Sequence, residues 1–121
     1  MAVQYDSGFK TYKVATAVTI YRLVKLDSSS ELVPVSGVTD IPIGVAQESC
    51  AAGEHCTVKL LTAPGTFKVE ANAAISINTE CYMINNGRLD DADPGSGVKW
   101  MRAWEAATAA GDIIECTPMK L

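Results

Sequence analysis

An all-β fold is predicted for this chain: one small, compact β-barrel or β-sandwich with sharply bent corners. Three observations carry that expectation. The apolar stretches are rich in Val, Ile, Thr and Tyr, whose branched or flat side chains pack well on a pleated surface. They are short and recur about every 8–12 residues. Clusters of Gly, Pro, Asn, Asp and Ser separate them. The 121 residues suit one domain, and a 12.8 kDa chain buries roughly two-thirds of its unfolded surface.

The elements follow in order. Residues 12–26, YKVATAVTIYRLVKL, read as strand, with Val18, Ile20 and Arg22 on one face. DSSSE (27–31) is a turn, because Asp and Ser side chains bond their own backbone. Pro34, lacking an N–H, marks an edge or a strand end. DIPIGVAQESC (40–50) is a second strand region, and AAGE turns it into HCTVKLL (55–61). Ala63-Pro64-Gly65 is a tight turn, with proline fixing φ and glycine accepting a positive one. TFKVEA alternates cleanly, placing Phe67, Val69 and Ala71 inward. Asn86-Gly87 is a hairpin signal. DDADPGSG (90–97) is an exposed loop, and DIIECTP closes the chain. One stretch, 99–110, fits a short helix as well as a strand. Trp100 and Trp104 are spaced i, i+4, yet Trp100, Arg102 and Trp104 also alternate.

Two corners resemble one another: AAGE at 51–54 and AAGD at 109–112, each followed by a short strand. A looser version is NAAISINTECYM, where Asn78 stands in place of glycine. Small residues let strands approach, glycine takes the conformation a Cβ forbids, and the acid accepts backbone N–H bonds at the bend. The acids are therefore read as structural, not catalytic.

Composition and spacing exclude several chemistries. Net charge is −4, with Lys10, Lys13, Arg22 and Lys25 gathered near the start and an acidic remainder. An acidic body argues against nucleic acid as a partner. No apolar run is long enough to span a membrane. The four cysteines form no CxxC pair, no leader-like apolar stretch opens the chain, and a reducing compartment with Cys as apolar filler is expected. His55 is the lone histidine. Cys50, His55 and Cys56 do not have a standard zinc spacing, and adjacent strand residues point to opposite faces. The Asp90, Asp91 and Asp93 cluster lacks the Gly and Glu placement of an EF-hand. Neither a phosphate-binding glycine loop nor a GxSxG elbow occurs, and the Asn86-Gly87 tip lacks the Met-Lys-Met of biotinyl and lipoyl carriers. No catalytic residue, cofactor, metal or small-molecule substrate is expected.

The ordered set IGVA, AAGE with its strand, a glycine-centred turn, AAI with a small polar corner, an Asn-Gly hairpin and a final AAGDIIEC strand resembles the small bacteriophage capsid decoration (cement) proteins. The likeness spans roughly 15–120. Asn78-Thr79 departs from the usual Gly-Asp corner, and Cys116 stands where Val is common. The resemblance implies a non-enzymatic structural protein that sits on the outer capsid surface as a homotrimer at three-fold positions. There it would clamp neighbouring major capsid proteins and stabilise the expanded, DNA-filled head. It also implies assembly in the bacterial host cytoplasm and residence in the virion.

Mean hydropathy of +0.12 leaves apolar surface for a trimer interface. Residues 1–13, basic and glycine-bearing, are expected to form an extended N-terminal arm before a body at 14–121. Tyr5, Phe9, Lys10, Tyr12 and Lys13 are the expected capsid contacts, by strand addition to a neighbour. Trp100 and Trp104 are candidates for the trimer interface or the core. The rival reading is a virion-surface module that binds carbohydrate or cells through the 90–97 loop.

Overall fold

The computed structural model describes residues 8–119. Ten strands run in chain order: β1 (Phe9–Lys13), β2 (Leu23–Leu26), β3 (Leu32–Pro34), β4 (Gly44–Ala46), β5 (His55–Leu60), β6 (Phe67–Glu70), β7 (Glu80–Met83), β8 (Leu89–Asp90), β9 (Lys99–Ala103) and β10 (Ile113–Pro118). They form two five-stranded antiparallel sheets, ordered β1-β5-β4-β2-β3 and β6-β10-β9-β7-β8. Each sheet curls until its two outer strands meet at a single parallel bridge, Val14 with Leu32 and Ala71 with Leu89. One bridge does not make a closed ladder, so the body is a sandwich of two curled sheets rather than a barrel.

The second sheet repeats the first. Its strand order is the same, and its bridges recur at a constant offset of roughly 57 residues. Val18 pairs with Cys50 as Ile75 pairs with Ala107. The Val14 N–H donates to the Glu54 carbonyl at 2.8 Å, as that of Ala71 does to Asp112 at 2.8 Å. Tyr21 and Asn78 both hold φ of 63°, and Gly53 and Gly111 hold 90° and 92°. The AAGE and AAGD corners are thus true counterparts. NAAISIN is a different corner, whose partner is the ATAVTIY stretch (15–21).

That assignment changes the reading of residues 12–26. The apolar run is two strands joined by a corner, because Tyr21 adopts a left-handed backbone and breaks the extended chain. Residues 99–103 are strand and no helix follows, since Met101 and Ala103 alternate into the core. The Asn-Gly signal marks a hairpin between β7 and β8, its tip a single 3-10 turn at Asn85–Gly87. The Ala63-Pro64-Gly65 turn links the two halves, with Gly65 at φ 87°.

Each half has its own core. Val14, Val18, Val24, Leu32, Ala46, Cys50, Cys56 and Val58 fill the first. Their counterparts Ala71, Ile75, Cys81, Leu89, Ala103, Ala107, Ile114 and Cys116 fill the second, which merges with the junction residues Leu23, Val45, Phe67, Met83 and Met101. At the junction the Asn86 N–H donates to the Val35 carbonyl at 3.0 Å. Glu70 accepts Arg22 through both oxygens at 3.2 and 3.3 Å, and Arg88 at 3.3 Å.

Gly87 is the tightest point of this junction. Its φ is +82°, and a Cβ there would stand 2.2 Å from the Leu23 carbonyl oxygen. Gly111 has a similar φ, +92°, but nothing within 4 Å. Gly87→Ala is therefore expected to cost about 3 kcal/mol or more, from left-handed strain plus overpacking. Gly111→Ala should cost about 1–2 kcal/mol, from strain alone. Urea unfolding of both variants checks this, and equal costs would contradict the junction geometry.

Candidate functional site

The surface that can meet a partner begins at the root of β1. Gly8 holds φ +80°, and a Cβ there would stand 2.4 Å from that of Ala63. Its carbonyl accepts the Leu60 N–H at 2.8 Å. The chain is thus pinned at Gly8 before β1 runs along the edge of the first sheet, paired with β5 from Phe9–Lys59 to Lys13–His55. From Phe9 onward the segment expected as an arm is an edge strand of the body.

Strand alternation divides the expected contacts. Lys10 and Tyr12 share one face, with the Lys10 ammonium 5.0 Å from the Tyr12 ring centre. Tyr12 packs on the first core, a covering role the sequence did not disclose. Phe9 and Lys13 take the other face and are exposed. Phe9 lies 5.8 Å from the Lys59 ammonium, and Lys13 reaches Glu31 at 3.9 Å. Tyr5 lies outside the described residues.

Trp100 lies on β9 and Trp104 just beyond its end, with Arg102 between them. Trp104 is 45% exposed, and its indole N–H donates to the Thr117 hydroxyl at 2.8 Å. The Arg102 guanidinium lies 5.8 Å from its ring. Trp100 is half-buried and packs against the second core. It lines a cleft of about 170 Å³ with Leu61, Thr62, Pro118 and Met119. Its indole N–H is enclosed and unpartnered among the described residues. Other exposed apolar side chains are Ile41, Ile77, Val98 and Ile113. Ile113 borders a wider cleft of about 500 Å³ together with Tyr21, Lys68, Glu105 and Glu115. The sequence reading did not single out these four. Each sits at a corner or a strand end, where alternation does not say which face meets solvent.

The acids hold turns. Asp112 accepts the Thr108 N–H at 2.8 Å, the Thr108 hydroxyl at 2.9 Å and the Ala109 N–H at 3.3 Å, and these bonds, led by that from Thr108, lower its carboxyl pKa. Glu54 accepts the Ala51 N–H at 2.6 Å. In the 90–97 loop Asp93 accepts the N–H groups of Gly95 and Gly97 at 2.8 and 3.1 Å. Asp40 is held well below the usual carboxylate range by the Lys25 ammonium at 2.8 Å and the Ser36 and Gly37 N–H groups. His55 is exposed at the start of β5. All four cysteines are buried and unbridged. Burial pushes the thiols of Cys56 and Cys116 up to about 12 and that of Cys81 to about 11. Thiols so raised carry almost no thiolate at neutral pH and are poor nucleophiles.

The candidate site is therefore a surface: an edge strand with a fixed root, and the pair Trp100 and Trp104 on β9 and just beyond its end. Comparison with known proteins bears on what it meets. A family model described as phage cement protein matches residues 4–118. The crystal structure of the N base of head fiber gp8.5 of bacteriophage phi29 is similar with a TM-score of 0.70 at 18% identity, covering 93% of this chain and 98% of that one. No curated protein sequence matched.

The core thiols generate a pH dependence. Unfolded thiols ionise near 8.5, well below the folded values. The unfolded state therefore releases these protons first, and stability falls as pH rises from about 9 towards 11–12. Cys81→Val with Cys116→Val installs the residues of the equivalent positions, Val24 and Val58. It should flatten this alkaline loss with little change near neutrality. Urea midpoints at about pH 7 and about pH 10.5 measure it, and an unchanged alkaline slope would exclude those thiols as its source.

Proposed function

Since the chain belongs to the phage cement protein family, its role is that of a structural protein of the phage head, and we propose that it decorates the outer capsid surface as a homotrimer at three-fold positions. There it clamps adjacent major capsid proteins and stabilises the expanded, DNA-filled shell. The observation that carries this reading is the family match across 4–118, nearly the whole chain. The head-fiber neighbour supports a fold suited to the head surface. Binding only the expanded lattice would stabilise it by mass action, and three joined footprints would bind far more tightly than one.

Two surfaces have roles in this reading. The segment before Gly8, with Tyr5, reaches the capsid, while β1 presents Phe9 and Lys13 from a fixed edge; Lys10 and Tyr12 support that strand from its other face. Strand addition at the β1 edge would supply main-chain hydrogen bonds to a capsid protein. Trp100 and Trp104 face the neighbouring copy, Trp104 through its exposed ring and Trp100 through the part of its ring not packed on the second core. The acidic body disfavours nucleic acid. Among the described residues no helix is long and apolar enough to cross a membrane. Assembly in the host cytoplasm before incorporation into the virion completes the proposal.

Co-sedimentation with expanded, undecorated heads tests the capsid role, and light scattering tests the trimer. Full-length protein should bind saturably and show three times the 12.8 kDa chain mass. Deleting residues 1–7, not 1–13, removes the arm and spares β1. That truncation should keep the melting temperature and lose binding by at least about tenfold. Trp104→Ala should shift the monomer–trimer equilibrium towards monomer by a factor of about 30 or more. Absence of binding to any head form, above all with binding to host-surface glycans instead, would overturn the reading.

A further inference from the structure

Folding brings Glu48, Cys50 and Cys56 together at the first-half corner. A carboxylate oxygen of Glu48 and the two sulfurs all lie within 4.8 Å of one another. Cys56 Sγ stands 3.3 Å from the Glu48 carbonyl oxygen, and Cys50 Sγ 3.8 Å from that of His55. Backbone bonds fix all three positions. Cys50 is bridged to Val18, Cys56 is paired with Tyr12 in the β1–β5 ladder, and Glu48 accepts the Thr57 N–H at 3.1 Å.

The second half supplies an internal comparison. At the equivalent places it has Glu105, Ala107 and Ile114. Glu105 accepts the Glu115 N–H at 3.0 Å, as Glu48 does for Thr57. Ala107 is bridged to Ile75 as Cys50 is to Val18. The corner therefore folds and packs without sulfur, and nothing in its backbone requires the two thiols. Cys81 and Cys116, by contrast, replace Val24 and Val58, and no such cluster with a carboxylate forms around them among the described residues.

We propose that Glu48, Cys50 and Cys56 bind one thiophilic divalent cation of the zinc class, with water in the fourth position. Two thiolates and a carboxylate are a donor set that a borderline-soft, tetrahedral cation accepts. At metal–donor distances of about 2.0–2.3 Å, tetrahedral donors stand about 3.3–3.8 Å apart, so the cluster needs to close by an ångström or so. Glu48 is exposed and gives the ion a way in. Binding releases both thiol protons to solvent and leaves a site of net charge −1. Affinity should therefore rise about a hundredfold per pH unit while both thiols carry protons. The ion would tie the end of β4 and the corner to β5, which is paired side by side with β1, and so stiffen the edge that carries Phe9 and Lys13.

Cobalt(II) titration of the full-length protein, kept reduced with a phosphine, tests this. A sulfur-to-cobalt charge-transfer band saturating at one equivalent, and displaced by zinc, is expected. The Cys50→Ala/Cys56→Ile double variant copies the second-half corner, so it should fold and lose the band. Glu48→Gln keeps an acceptor for Thr57 and should weaken binding at an unchanged metal-free melting temperature. Absence of the band in the parent protein, or its persistence in the double variant, would overturn the proposal.

Discussion

Leu23 and Val45 on the first sheet bury themselves against Phe67, Met83 and Met101 of the second, and the Asn85–Gly87 turn presses onto the Leu23 backbone. The rest of the structure depends on that junction. A curled sheet of roughly fifty residues buries too little apolar surface to be robust alone. It needs a second layer, and a second copy of the same topology provides it. The contact is not reciprocal. The Glu70 N–H donates to the Tyr21 carbonyl at 2.8 Å across the junction, whereas Asn78, the counterpart of Tyr21, is met within its own half, its side-chain oxygen accepting the Arg102 guanidinium at 3.1 Å. The halves therefore pack head to tail, as neighbouring units of a repeat array do.

Head-to-tail packing leaves one used and one unused surface on each half, and the sequence distinguishes them. Leu23 and Val45, fully buried, correspond to Glu80 and Arg102, which form an ion pair at 3.0 Å. Phe67 and Met83, also buried, correspond to Lys10 and Leu26, which are half-exposed. The Glu70–Arg88 pair at the junction corresponds to Lys13–Glu31 at the free end, with the charges exchanged. Leu23, Val45 and Phe67 are apolar where the other half covers them and their uncovered counterparts are charged, while Leu26 stays apolar and packs against the first core. The same exchange places Lys10 on β1 where Phe67 is buried in β6, whereas Lys13 takes the place of the charged Glu70 with the sign reversed.

This pattern explains what the sequence showed and what it hid. The corners were legible because their chemistry is local: glycine for a positive φ, small residues for close approach, an acid for the loose N–H groups. The β7–β8 hairpin and the alternation of Phe67, Val69 and Ala71 were legible for the same reason. The duplication was not, because junction and free end demand opposite polarity at equivalent positions, and that erases the likeness between halves. Nor was the corner within 12–26. Asn78 advertises a left-handed backbone, but its counterpart Tyr21 does not, and only the surrounding bonds hold it there. Residues 99–110 stayed open between helix and strand because the helical spacing of Trp100 and Trp104 competes with the alternation of Met101 and Ala103, and burial of those two decides for strand. On the surface, the sequence grouped Phe9, Lys10, Tyr12 and Lys13 as contacts without showing that, of these four, Phe9 and Lys13 are the exposed ones. The support role of Tyr12 and the exposure of Ile77 and Ile113 depend on how the sheets curl.

The repeated corner also shows how one backbone can carry two chemistries. Its shape is fixed by main-chain bonds, by the glycine at 53 or 111, and by a glutamate that closes onto the following strand. The side chains that point into the core at positions 50 and 56, and at 107 and 114, therefore need only be small and apolar enough to fit. One corner meets that need with Ala and Ile, the other with two cysteines. Of the two corners, one lies beside the outer edge of a sheet. The first corner is that one: Lys13 of β1 is directly paired with His55, the residue before Cys56. A donor cluster there acts on the outermost strand of the first sheet, whereas the same cluster in the second half would stiffen β10, which is flanked on both sides by β6 and β9.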